Sequence, residues 1–135
     1  MAASTANRIP GSILAKAKCL CSTREWETVI PANTQDKVVA RIPLPYPCHI
    51  IRIDYNIQVG GSTHTLSNIE AKVDGTAITS AYTADNTTTA AMEPTNQLAA
   101  YDQGSVFTME LDTAASNATV SEVNVVLTVL PLTGS

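Results

Sequence analysis

Apolar and polar residues alternate with a period of two along most of the chain, the pattern of half-buried β-strands. Residues 49–59 (HIIRIDYNIQV) carry it most strictly. Ile51, Ile53, Tyr55, Ile57 and Val59 fall on one face, and Arg52, Asp54, Asn56 and Gln58 on the other. Residues 105–112 alternate Phe107, Met109 and Leu111 with Thr108, Glu110 and Asp112. Residues 120–130 place Val123, Val125, Leu127 and Val129 on one side. Their opposite side mixes Glu122, Asn124 and Thr128 with Val126 and Leu130, so that side turns apolar toward its end. Another element or a neighbouring subunit would cover it, which makes Val126 and Leu130 candidate subunit-interface residues.

Weaker runs fill in the rest. Residues 13–21 (ILAKAKCLC) put Ala15, Ala17, Cys19 and Cys21 on one face, although Ala and Lys also favour helix. Residues 25–30 predict a second strand, with Trp26, Thr28 and Ile30 together. Residues 37–42 predict a third, with Val38, Ala40 and Ile42 together. Residues 43–47 (PLPYP) hold three alternate prolines, which remove ladder donors and make a stiff extended connector. Residues 69–73 and 76–80 flank Asp74-Gly75, a strong signal for a two-residue hairpin. Residues 81–103 show no firm period and read as a long loop hiding a short strand or helical turn.

Seven or eight short strands, no helix of standard length and no βαβ alternation predict two packed antiparallel sheets. The expected fold is an all-β, jelly-roll-like antiparallel β-sandwich over residues 13–135, preceded by an extended N-terminal arm at 1–12. That arm (MAASTANRIPGS) is small and polar, and Pro10-Gly11-Ser12 punctuates its end.

Composition narrows the function classes. The 135 residues are 44% apolar and 15% charged, which argues for a folded domain rather than disorder. The formal charge of −4 is unevenly spread. Residues 1–24 hold Arg8, Lys16, Lys18 and Arg24 and no acid, net +4; residues 25–135 hold four basic and twelve acidic side chains, net −8. An acidic body argues against a nucleic-acid platform, which needs a basic face. The basic start fits either an arm lying on an acidic partner surface or a solvated tail. No secretory signal and no run long enough for a membrane span are visible, so the expectation is a chain folded in a cytoplasm, with no membrane partner.

Candidate chemistry is sparse. Cys19, Cys21 and Cys48 are too few and unpaired for a disulfide framework. With His49 and His64 they lack the paired spacing of a zinc site, so Cys19 and Cys21 read as buried thiols beside Ala15 and Ala17. Cys48 and His49 are adjacent on a strand and point to opposite faces. A Cys48–His64 nucleophile pair stays open. No nucleophile elbow or phosphate loop is present. Asp54, Glu70, Asp74, Glu110, Asp112 and Glu122 fall at outward or turn positions, where solubility explains them. No cofactor is expected.

Three segments also resemble the jelly-roll modules of tailed-phage virion proteins. They are the strand IIRIDYNIQV followed by Gly60-Gly61-Ser62, the hairpin IEAKVDGTAIT, and the glycine-led QGSVFTMELD followed by VSEVNVVLTVL. The likeness spans Ile50 to Leu130. It implies a structural virion protein without catalytic residues, of the capsid decoration (cement) family. Such a protein sits on the capsid surface, binds the major capsid protein and forms a homo-oligomer, expected to be a trimer. Arg8, Ile9 and Pro10 would then be the partner-binding arm. The alternative in the same family is a carbohydrate- or receptor-binding domain of a tail fibre. A small cysteine hydrolase using Cys48 is the enzyme alternative.

Overall fold

The computed structural model of the chain describes residues 16–60, 65–85, 88–113 and 119–132. Nine strands make up the described fold: β1 (Lys18–Ile30), β2 (Lys37–Pro43), β3 (Cys48–Gly60), β4 (Thr65–Val73), β5 (Thr76–Ala77), β6 (Tyr82–Asp85), β7 (Thr88–Met92), β8 (Val106–Thr113) and β9 (Thr119–Pro131). They form an all-β antiparallel sandwich. Sheet A has the order β1-β9-β3-β7; sheet B has the order β2-β8-β4-β5, with β6 also pairing with β4. The pairing is nested. The first strand pairs with the last, β2 with β8, β3 with β7, and β4 with β5 and β6. The contacts β3–β9 and β4–β8 join these pairs into the two sheets.

The alternating faces supply the core. Phe107, Met109 and Leu111 from β8 meet Val123, Val125, Leu127 and Val129 from β9, with Ile53, Tyr55 and Ile57 from β3. Phe107, Met109 and Leu111 are fully buried, and each such side chain contributes roughly 1.5–3 kcal/mol of transfer free energy. The hairpin at Asp74-Gly75 has φ values of 50° and 83°, both positive as a type I′ turn requires. Asp74 closes it doubly: its Oδ1 accepts from the Val106 amide at 2.9 Å, and its amide donates to the Val106 carbonyl at 3.0 Å. The 43–47 segment is a connector as expected. Its Leu44 is buried and held to the 104–105 turn by backbone hydrogen bonds of 2.8 and 2.9 Å.

Several expectations need correction. The strands expected at 13–21 and 25–30 are one strand, β1, across the described residues from Lys18. Its pairing puts Cys19 opposite Thr128 and Cys21 opposite Val126, on the outer face of sheet A. Both thiols are exposed rather than buried. Leu20 and Trp26 pack toward the core instead. Thr28 is exposed and does not join Ile30, because the register shifts between Glu25 and Ile30. A shift between Val38 and Ala40 buries Val39 beside Ala40 and Ile42 and leaves Val38 half-buried.

In β3 a bulge between Ile50 and Arg52 changes the phase of the strand. Cys48 and Ile50 enter the core before it, and Ile53, Tyr55 and Ile57 after it. Ile51 is the extra residue: it is buried but lies outside the core cluster. The return strand expected at 76–80 is only two residues long. The loop at 81–103 contains two strands, β6 in sheet B and β7 in sheet A, so it crosses between the sheets. Arm residues Arg8, Ile9 and Pro10 lie outside the described residues.

Candidate interaction surface

The outer faces of the two sheets differ in charge. Directly opposed residues of an antiparallel pair project to the same side, so the register reads out each face. On sheet A one row runs Cys21–Val126–Asp54–Ala91, and the next begins Thr23–Asn124–Asn56. A third row joins Cys19, Thr128 and Arg52. The only ion pair among the described residues of these rows is Arg52 with Asp54, whose Nε and Oδ1 lie 3.0 Å apart. These three rows carry no net charge and are mostly small or polar, with Val126 at their centre; the row beyond them holds Glu25 and Glu122. A shallow depression of about 150 Å³ lies there, lined by Asp54, Tyr55, Asn56, Asn124 and Val126.

Sheet B presents charge. Glu110 and Glu70 stand directly opposite each other, and Lys72 Nζ bridges them at 3.0 and 3.7 Å. Glu110 and then Glu70 hold the Lys72 ammonium above its ordinary value, against a partial desolvation effect of the opposite sign. Arg41 lies in the neighbouring row with Thr108 and Lys72. Such a face carries a larger desolvation cost on docking than sheet A does.

Val126 and Leu130 meet different surroundings. Val126 is half-buried on the open face. Leu130 pairs in register with His49, near the end where the chain's own 97–99 segment is anchored on β3. There His49 Nδ1 lies 2.9 Å from the Ala99 carbonyl oxygen, and Gln97 Nε2 donates to the Ile51 carbonyl at 2.8 Å. The segment is thus tied to the backbone at Ile51, which is buried outside the core cluster. Val126 remains the better placed of the two for an outside partner.

At one end of sheet A, Glu25 and Glu122 stand opposite each other on β1 and β9. A hydrogen bond from the Glu25 carboxyl to Glu122, and then the Glu122 charge, hold Glu25 above the ordinary glutamate value. Glu122 is held below it, first by Asn124 Nδ2, which donates at 2.9 Å, and then by Glu25.

The candidate nucleophile is poorly placed for chemistry. The Cys48 side chain is fully buried, and burial pushes its thiol up from the ordinary value. Reactive cysteines need the opposite shift and exposure. His49 projects to the other face, and His64 lies outside the described residues. Among the described residues no three His, Cys, Asp or Glu side chains gather as a metal site would require.

Asp112 also departs from its expected role. It is buried, and it holds the 31–36 turn and β4 together: Oδ1 accepts from the Asp36 amide at 2.7 Å and Oδ2 from Asn68 Nδ2 at 2.6 Å. Asn33, Asp36 and Asn68 all have positive φ, which Asn and Asp tolerate best among side-chain-bearing residues.

Sequence reasoning missed one surface altogether. Among the described residues β1 and β2 are end strands of their respective sheets, and they lie beside each other. A groove of about 600 Å³ opens between them, lined by Ser22, Thr23, Arg24 and the run from Lys37 to Arg41. The Arg24 guanidinium lies 4.8 Å from the Trp26 ring centroid. The Trp26 Nε1 is shielded from water without a hydrogen-bond partner.

No family model and no curated protein matches the chain.

Proposed function

We propose that this chain is a phage capsid decoration protein that binds the major capsid protein, with the outer face of sheet A against the shell. The observation that carries the reading is the contrast between the two faces. Around Val126 sheet A offers small and uncharged side chains with one Arg52–Asp54 ion pair beside them and its acids, Glu25 and Glu122, set apart at one end, whereas sheet B carries a charged ladder across its middle. A flat neutral polar face packs closely on a partner at low desolvation cost. The nested strand order supports the reading too, since first-with-last winding is that of the two-sheet jelly roll used in viral shells. The arm at Arg8, Ile9 and Pro10 would reach a neighbouring capsid subunit, and a trimer would place three such arms around one contact point.

Cosedimentation with undecorated phage heads tests this. Saturable binding with a fixed number of copies per head is expected, weakened by deleting residues 1–12. Failure to bind heads while binding purified glycans would turn the assignment to a fibre head.

A further inference from the structure

We infer that the groove between β1 and β2 is a docking site for an extended acidic peptide, which adds as a strand to one of the two open sheet edges. An edge strand presents a row of backbone donors and acceptors that a second strand can satisfy. Among the described residues two sheet-end strands, the 13-residue β1 and the 7-residue β2, border the same groove. Strand addition of this kind takes its affinity from the main chain and its selectivity from the alternate side chains.

Charge sets the selectivity. Arg24, Lys37 and Arg41 all line the groove. Among the described residues the ion pairs are Arg52–Asp54 and those of Lys72, and the three groove cations take part in neither. Arg24 and Lys37 fall on the core side of their strands, opposite Val123 and Leu111, where they can meet carboxylates spaced on one face of an added β-strand; Arg41 stands on the outer side, opposite Thr108.

The same charges decide against the chain's own segments. Residues 1–17 hold Arg8 and Lys16 and no acid, so they carry the groove's own sign. Two copies meeting through their β2 edges would bring Lys37 and Arg41 of each together, since β2 carries no acid. The charges thus oppose pairing of two β2 edges and admit an acidic strand. The groove is also held in shape at one end. Asp112 fixes the Asp36 amide beside Lys37, and Thr113 fixes Thr34. The inference does not depend on the capsid reading: peptide binding without head binding would leave it standing and remove that reading.

The chain carries one tryptophan, Trp26, under Arg24, so its emission reports occupancy. Titration of the full chain with the octapeptide acetyl-(Val-Glu)4-amide is expected to shift that emission saturably. Reversal of all three charges (R24E, K37E and R41E together) is expected to weaken binding by about tenfold or more. The lysine counterpart acetyl-(Val-Lys)4-amide is expected not to bind. Two peptide versions N-methylated at alternate amides separate strand addition from plain charge attraction. One set should lose binding and the other keep it, because only alternate amides face the edge. Equal binding by both sets, equally tight binding of polyphosphate or an oligonucleotide, or equal binding by the charge-reversed protein would overturn the proposal. A single substitution, K37E, supplies the same comparison if the triple variant fails to fold.

Discussion

Thr34 and Thr113 hold each other by two hydrogen bonds: the Thr34 amide donates to Thr113 Oγ1 at 2.8 Å, and the Thr113 amide donates to the Thr34 carbonyl at 2.9 Å. The Thr113 hydroxyl in turn donates a hydrogen bond to the Pro31 carbonyl at 2.7 Å. This clasp locks the turn between the two edge strands onto the end of β8. Thr113→Val keeps the shape and removes the hydroxyl. It strands a shielded amide, so a loss of about 1–3 kcal/mol is expected in urea denaturation.

Asp112 extends the clasp to Asn68, and its two oxygens can be tested separately. Asp112→Ala removes both acceptors and should destabilise by about 2–3 kcal/mol. Asp112→Asn keeps one oxygen for the Asp36 amide, and Asn68 can turn its own amide to accept. That variant should lose less than half as much. Equal losses for the two would show that the hydrogen bonds do not hold the turn.

At the Asp74-Gly75 turn, an added Cβ on Gly75 meets nothing within 4 Å, but its φ of +83° is unfavourable for any L side chain. Gly75→Ala should therefore cost about 1 kcal/mol through backbone strain alone. Gly75→Asn should cost less, as measured by thermal unfolding.

The Glu25–Glu122 pair predicts a pH dependence with two limbs. Glu25 is raised in the folded state, so its contribution is full below the ordinary value of 4.5 and is lost as pH rises through the folded value. Glu122 is depressed, so its contribution is present above 4.5 and lost as pH falls through its folded value. The β1–β9 edge is thus tightest between those two folded values. Glu25→Gln removes the upper limb and should stabilise that edge at pH 7. Amide hydrogen exchange of β1 from pH 3 to 8, in wild type and variant, reads it out.

Much of the sandwich is legible from period two alone, because Ile53–Ile57, Phe107–Leu111 and Val123–Val129 each keep one face apolar. The misreadings have physical causes. A bulge at Ile51 and another near Val39 each insert one residue, and a one-residue step exchanges the faces. Cys19 and Cys21 read as inward because Ala-Cys alternation carries little bias on an edge strand. Strands β6 and β7 lie in Thr- and Ala-rich sequence whose residues scarcely differ in polarity. Asp112 follows the outward phase of β8, but the 31–36 turn closes over it. Of the candidate interface, Val126 was readable from its place in β9. The groove was not, because Arg24 and Lys37–Arg41 come together only through the strand order.

Cysteine exposure turns the central claim into a chemical measurement. In the free protein, iodoacetamide should modify Cys19 and Cys21 and leave Cys48 untouched until unfolding, since only Cys48 is buried with a raised thiol. Cys21 stands opposite Val126 on the proposed docking face. The deciding measurement is the alkylation rate of Cys21 on heads saturated with the protein, against the rate in free solution. Docking through sheet A predicts a fall of at least about tenfold on the heads, from loss of solvent access. An unchanged Cys21 rate in the head-bound protein would contradict it.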